Sequence, residues 1–283
     1  MFRRIAIAGL GLIGGSMALA ARRLWPEAAI IGVDRPEVLD RARDLGAVTG
    51  VAESIAGVGD ADLIVLAAPV QRNIELLDAV AASVRHPAIV TDTGSTKRDI
   101  VAAAEARMPA HLTFVGGHPL GGAATSGIDY ARVDLFAGRP WLFTPSQPPN
   151  PEAEQTLFAF AEALGASPRR IDADAHDRLL AFVSHLPQLT ASALMQVVGR
   201  AVGEENLAIA GRGLVDTTRL ASSASSLWRE IVSSNADEIG PALDALIDTL
   251  QHVRADLTRG DALVQLFDEA SRWRDALVTR TPI

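Results

Sequence analysis

A chain of 283 residues, 48% hydrophobic and 21% charged, has apolar material for one large packed domain or two modest ones, and excludes disorder or a linker-like composition. Its net charge of −8 argues against a broad electrostatic grip on nucleic acid, and the absence of cysteine excludes disulfides, thiolate nucleophiles and cysteine-bound metal. Of 26 basic residues only Lys97 is a lysine, a bias that base composition explains on solvated surfaces.

The opening Met1-Phe2-Arg3-Arg4 does not lead into an export signal, because the apolar run behind it is broken by Gly9, Gly11, Gly14 and Gly15. No run approaches the roughly 18 apolar residues that span a bilayer. The expectation is a cytoplasmic protein with neither membrane nor nucleic acid as a partner.

From Arg4 to Ile171 short apolar runs alternate with helical patterns. Arg4–Gly9, Ala29–Asp34, Asp62–Ala68, Ala88–Asp92, Thr113–Gly116, Trp141–Thr144 and Ser167–Ile171 read as strands. Helices are predicted over 14–23, 36–45 (opened by Pro36, stopped by Gly46), 70–84, 96–107 and 152–164. Apolar strands alternating with helices imply a parallel, doubly wound α/β sheet covered on both faces. The Pro-rich stretch Ser146–Pro151 reads as a surface loop within this part. After Asp172 strand signals vanish. Helices are predicted over 174–183, 187–202, 217–222, 225–235, 237–259 and 260–279, so the domain boundary is placed between 171 and 172.

Gly9-Leu10-Gly11-Leu12-Ile13-Gly14 fits G-x-G-x-x-G between a strand and a helix. In that context Gly9 makes the tight turn, Gly11 admits a pyrophosphate and Gly14 permits close helix–strand packing, as in Rossmann-type dinucleotide-binding domains. Asp34 ends the second strand 20 residues after Gly14, where a carboxylate bonds the adenosine ribose hydroxyls. A carboxylate there repels the 2′-phosphate of NADP and favours NAD, while the adjacent Arg35 is the feature that would favour NADP. The candidate cofactor residues are Gly9, Gly11, Leu12, Ile13, Gly14, Asp34, Arg35 and Pro69.

Two further segments follow strands at the carboxyl edge, where such sheets bind ligands. They are Asp92-Thr93-Gly94-Ser95-Thr96-Lys97 and Gly116-Gly117-His118-Pro119-Leu120-Gly121-Gly122. His118, between glycines and a proline, reads as held in an open loop, where imidazole exchanges a proton near neutral pH. His86 and His111 sit in ordinary polar loops, and His252 is expected on a solvated helix face. His176-Asp177 and Ser184-His185-Leu186-Pro187-Gln188 bracket one short helix. The two histidines are nine residues apart, which rules out the shared face of an i, i+4 ligand pair, and no metal site is expected.

In order along the chain, G-L-G-L-I-G-G-S, D-T-G-S-T-K, G-G-H-P-L-G-G, H-D…S-H-L-P and the stretch Thr218-Arg219-Leu220-Ala221…Leu227-Trp228-Arg229 resemble the pattern of the prephenate and arogenate dehydrogenases of tyrosine biosynthesis, over about residues 3 to 250. The resemblance implies a Rossmann domain over 1–171 followed by a helical substrate and dimerisation domain over 172–283, hence a homodimer. Together these take up the whole sequence, so a form without a fused mutase or regulatory domain is expected. It also implies that His118 takes the C4 hydroxyl proton as hydride leaves C4 for the nicotinamide and CO2 departs. Ser95 then orients His118, Arg219 holds a substrate carboxylate, and His185 and Gln188 meet the substrate. Lys97 is either a ligand for substrate or cofactor or a surface lysine at a helix start, and Trp228 reads as a core indole.

One departure bears on the substrate. Many prephenate-using members read S-H-L-P-H, whereas here the last position is Gln188. A glutamine carbonyl accepts from the ammonium of arogenate, which a cationic histidine repels, so arogenate is expected ahead of prephenate or dual use. Two rival classes make different demands. A β-hydroxyacid-type dehydrogenase needs a lysine in the second domain, and none follows Lys97. A non-catalytic NAD sensor predicts that His118, Ser95 and Arg219 are dispersed.

Overall fold

The computed structural model describes residues 2–121 and 125–280. Gly122 of the histidine motif therefore lies outside the described residues. The chain divides into two compact units, residues 1–235 and 236–283.

In the first unit eight strands among the described residues form one sheet. They are β1 (Arg4–Ala8), β2 (Ala29–Val33), β3 (Gly50–Ala52), β4 (Leu63–Leu66), β5 (Ala88–Asp92), β6 (Leu112–Pro119), β7 (Pro140–Pro145) and β8 (Ser167–Arg170), in the order β3-β2-β1-β4-β5-β6-β7-β8. Because successive side chains on a strand face opposite ways, each strand feeds two cores. Ile5, Ile7, Leu63 and Val65 pack on one face, against helices α1 (Leu12–Leu24), α2 (Pro36–Asp44) and α5 (Pro151–Ala163). Ala6, Ala8, Ile64 and Leu66 pack on the other, against α3 (Val70–Ser83) and α4 (Arg98–Arg107). The double covering explains why the strands read as unbroken apolar runs.

Two features differ from the predicted sheet. The short strand β3 has no apolar run to announce it. More important, β6 pairs antiparallel with β7, His118 lying opposite Leu142 and Pro119 opposite Trp141. Parallel neighbours need a crossover, usually helical. The described part of the connection from β6 to β7 has only the 3-10 turn Ile128–Tyr130, so the chain comes straight back. The predicted strand ending at Gly116 thus continues to Pro119. His118 stands on a strand, not in an open loop.

Helix α6 (Ala173–Leu180) passes through a π turn (Ala181–His185) into α7 (Leu186–Asn206). Pro187 has no N–H and its ring crowds the preceding turn, and the wider π turn absorbs both. The helices predicted separately over 174–183 and 187–202 are joined in this way. Helices α8 (Arg212–Thr217) and α9 (Ser225–Ser234) complete the unit, with 3-10 turns at Leu207–Ile209 and Arg219–Ser222.

The second unit is a helical hairpin, α10 (Ala236–Ala255) and α11 (Asp261–Arg280). Gly260 turns the corner at φ +83°, and Asp256 accepts hydrogen bonds from Ala262 N (2.6 Å) and Arg259 Nε (2.9 Å). Leu250, Phe267, Trp273 and Leu277 are exposed on these helices. Among the described residues no helix is long and apolar enough to cross a membrane.

Candidate active site

The Gly-rich turn sits where the strand order reverses, between β1 and β4, the position at which doubly wound sheets take a nucleotide. Gly9 has φ +97°, and a Cβ there would lie 2.6 Å from the Ala67 carbonyl. A Cβ at Gly14 would run into the Gly9 carbonyl oxygen. At Gly11, by contrast, a Cβ would meet nothing within 4 Å. That open space lies over the first turn of α1, which has neither a side-chain cap nor an acidic residue. Uncapped N–H groups beneath room for a bulky anion suit a pyrophosphate, and Leu12 and Ile13 belong to that first turn.

Asp34 Oδ2 accepts from Leu10 N (2.6 Å) and Oδ1 from Arg35 N (2.7 Å), so its carboxylate is tied to the turn. Arg35 is exposed and pairs with Glu37 at 3.1 Å. Pro69 is exposed at the start of α3, just after β4 and the Ala67–Ala68 backbone that backs Gly9.

At the same carboxyl edge a buried polar chain links β5, β6, α4 and α6. His118 Nδ1 lies 2.9 Å from His176 Nε2, and His176 Nδ1 lies 2.7 Å from Asp177 Oδ1. Asp177 also accepts from Lys97 N (2.8 Å), Arg98 N (3.0 Å) and Arg98 Nε (3.3 Å). Lys97 donates from Nζ to Asp92 Oδ2. Asp92 further accepts from Gly94 N (2.7 Å) and Gly117 N (3.0 Å), which ties the end of β5 to β6. Asn235 receives Arg98 Nη2 (2.8 Å) and donates to Asp177 O (2.8 Å) and His185 Nδ1 (3.2 Å).

His118 is half-buried; His176, Asp177, Lys97 and Asp92 are fully buried. Burial holds His118 well below the ordinary histidine value, helped by His176, Lys97 and His185. Burial likewise lowers His176, and lowers His185 to about 4. Burial pushes Asp177 up, but the hydrogen bonds from His176 and from the backbone of Arg98 and Lys97 outweigh it and hold the carboxyl below its ordinary value. All three histidines are neutral at pH 7.

Several expected residues lie elsewhere than anticipated. Lys97 is not on the surface; its ammonium is inside the fold against Asp92. Ser95 is half-buried, and among the described residues it makes no hydrogen bond to His118, whose Nδ1 is held by His176 instead. Trp228 is half-buried rather than a core indole, its ring edge-on to His185 at 5.9 Å. Gln188 is buried, with Nε2 donating to Leu220 O (2.7 Å) and Ser192 Oγ (3.3 Å) and Oε1 accepting from Ser223 Oγ (3.1 Å). Arg219, next to Leu220, is exposed and forms no ion pair among the described residues. Asn235 has no sequence signal; Asp92 is marked only as the first residue of D-T-G-S-T-K, and His176 and Asp177 only as the H-D pair.

A dinucleotide cradle and a neutral histidine on one sheet edge define a nicotinamide-dependent dehydrogenase. Comparison narrows the class. Residues 17–168 match the family model described as "Prephenate dehydrogenase, nucleotide-binding domain", and residues 172–269 match "Prephenate dehydrogenase, dimerization domain". The chain is 34% identical to prephenate dehydrogenase of Bacillus subtilis (strain 168), over 98% of this chain and 76% of that protein. It is 33% identical to cyclohexadienyl dehydrogenase of Zymomonas mobilis, over 99% and 97%. The crystal structure of A. aeolicus prephenate dehydrogenase in complex with hydroxyphenyl propionate and NAD+ superposes with TM-score 0.90 and 29% identity, covering 98% of this chain and 99% of that one. The chain belongs to the prephenate dehydrogenase family of oxidoreductases.

Proposed function

We propose that the protein oxidatively decarboxylates arogenate to tyrosine, with NAD as the hydride acceptor. The observation that carries the reading is His118: a neutral, half-buried imidazole at the carboxyl edge that also bears the Gly9–Gly14 cradle. When bound, NAD supplies the hydride acceptor. Gly11 leaves room for its pyrophosphate over the first turn of α1, at Leu12 and Ile13, and Asp34, tied to the Gly-rich turn through Leu10 N, is the partner assigned to the ribose hydroxyls. Pro69 borders the same cradle. The Arg35–Glu37 pair supports NAD over NADP, because the guanidinium already has a carboxylate partner.

In this reading His118 takes the C4 hydroxyl proton, and Ser95 touches the same hydroxyl. Arg219, exposed and without an ion-pair partner among the described residues, holds a ring or side-chain carboxylate with its planar fork. His185 and Gln188 meet the side chain. Both Gln188 donors are already engaged and Oε1 keeps one lone pair, so the residue offers an acceptor, which suits an ammonium better than a keto acid. The alternative, prephenate or use of both substrates, is supported by the names of the B. subtilis and Z. mobilis relatives.

A division into a cofactor part over 1–171 and a helical part over 172–283 is supported by the break between the two family models, at residues 168 and 172. A homodimer through the helical part is supported by the second model's description and by the exposed Phe267, Trp273 and Leu277.

The deciding assay follows NADH formation with arogenate and prephenate side by side; a higher kcat/KM for prephenate refutes the substrate proposal. His118→Asn is expected to abolish turnover while NAD still binds, and Arg219→Ala to act mainly on KM. Undiminished turnover in His118→Asn removes the site assignment itself.

A further inference from the structure

The reading above makes His118 a base but leaves open which of its nitrogens carries the lone pair. We infer that Asp177 and His176 are positioning residues that fix the His118 tautomer, so that Nδ1 carries the proton and Nε2 is the basic atom. The inference rests on the proposed role of His118 and follows from the direction of successive hydrogen bonds.

Asp177 is an acceptor only, since its oxygens already receive the Lys97 and Arg98 N–H groups and the Arg98 guanidinium. His176 Nδ1, 2.7 Å away, must therefore donate to it. A neutral His176 has one N–H, so its Nε2 is left as an acceptor. His118 Nδ1, 2.9 Å from that Nε2, must then donate. A neutral His118 with Nδ1–H has its lone pair on Nε2. A carboxylate thus sets a base through an intervening imidazole, extending by one ring the logic by which a buried aspartate sets the tautomer of a catalytic histidine.

The same chain carries a switch. A protonated His176 would donate from both nitrogens. His118 Nδ1 would then have to accept, its proton would move to Nε2, and the base would be lost while His118 itself stayed neutral. The acid limb of turnover then belongs to the coupled pair, not to His118 alone. The groups facing it are Asp92 at the end of β5, Lys97 in the following turn, Arg98 at the start of α4, Asp177 on α6 and His185 in the π turn. Burial and then Lys97 oppose the charging of His176, and Asp177 and Asp92 favour it. A merely structural H-D pair would have no such effect on the pH profile.

The test uses the full chain with 15N-labelled histidine. Imidazole 15N shifts read the His118 tautomer directly, and kcat, KM and NAD affinity are measured alongside. In the wild type His118 should show Nδ1–H. Asp177→Asn offers His176 Nδ1 a donor in place of an acceptor, reversing the chain. His118 should switch to Nε2–H and kcat should fall by on the order of 10³- to 10⁴-fold, with KM and NAD affinity within about threefold. Because Asp177 also caps the start of α4, a second pair guards against a folding defect. His176→Gln keeps an acceptor for His118 Nδ1 and should retain the tautomer and most of kcat, whereas His176→Leu should lose both. An unchanged His118 tautomer in Asp177→Asn, or a kcat for His176→Leu within about threefold of wild type, overturns the inference. Neither result touches the role of His118, which stands or falls with His118→Asn.

Discussion

Lys97→Met isolates the reason a lysine persists in a chain whose other basic residues are all arginine. Methionine keeps the length of the apolar stem and removes the ammonium. Asp92, also fully buried, would retain the Gly94 and Gly117 N–H groups at 2.7 and 3.0 Å but lose its counter-charge. Breaking a buried ion pair from one side costs about 3–5 kcal/mol, most of it from the stranded charge. With an unfolding entropy of about 2 cal/mol/K per residue, a chain of this length loses roughly 5–8 °C in Tm. The double variant Asp92→Asn/Lys97→Met removes both charges and should recover most of that loss. A second readout is catalytic. Lys97 is among the charges that hold His118 low, after burial and His176, so its removal should move the acid limb of kcat/KM upward. Calorimetry and a pH–rate profile on the two variants decide the matter. A Tm change below about 2 °C in Lys97→Met, or a double variant no more stable than the single, would refute the reasoning.

The remaining predictions concern the cradle and pH. Gly14→Ala should fail to fold soundly because its Cβ meets the Gly9 carbonyl, while Gly11→Ala should fold normally yet lose NAD affinity, as circular dichroism and NAD titration would show. Glu37→Ala releases Arg35 from its ion pair and should raise kcat/KM for NADP relative to NAD by several-fold. His176 and His185 are buried and held below 6.5, chiefly by burial, so below pH 6.5 the unfolded chain binds protons that the folded chain does not. Stability should therefore fall from pH 6.5 toward 4, at up to about 1.4 kcal/mol per pH unit for each histidine, measured by urea denaturation. Asp177, held low, adds its loss only below its unfolded value near 3.8.

The cofactor half was legible because its signals are local. A strand, three glycines, a helix start and Asp34 lie within a few dozen residues, so spacing alone anticipates the strand–turn–helix that holds them. His118 stands out in the sequence as a candidate but not as a strand residue, since Gly116, Gly117 and Pro119 imitate a loop. The structure gives these glycines another reason. A Cβ at Gly117 would lie 2.6 Å from Asp92 O, and one at Gly116 would collide with Thr144 Oγ1. Glycine inside a strand often marks close backbone approach rather than a turn. His176 was illegible as a partner because His118 lies 58 residues away, and only the packing of α6 against the sheet edge joins them. Lys97 illustrates the limit of composition. Its type was noticed, but neither charge nor helix-start position predicts complete burial.

The antiparallel turn-back of β6 explains why these distant residues are needed at all. Thr91 of β5 pairs with Val115, and Asp92 ends its strand, so the pairing of β5 with β6 stops there. β6 continues to Pro119 with only β7 beside it, and His118 overhangs by three residues, or about 10 Å at the rise of a strand. An overhang carries the imidazole above the sheet edge but strips it of strand neighbours on one side. Asp92, reaching Gly117 N, anchors the base of that overhang, and His176, reaching His118 Nδ1, anchors its tip. Each anchor is itself held by another charged group, Lys97 on Asp92 and Asp177 on His176, and the Lys97 backbone N–H closes the loop onto Asp177. A side chain projected beyond its sheet keeps its aim only if its supports are locked in turn, and here one buried polar chain locks both.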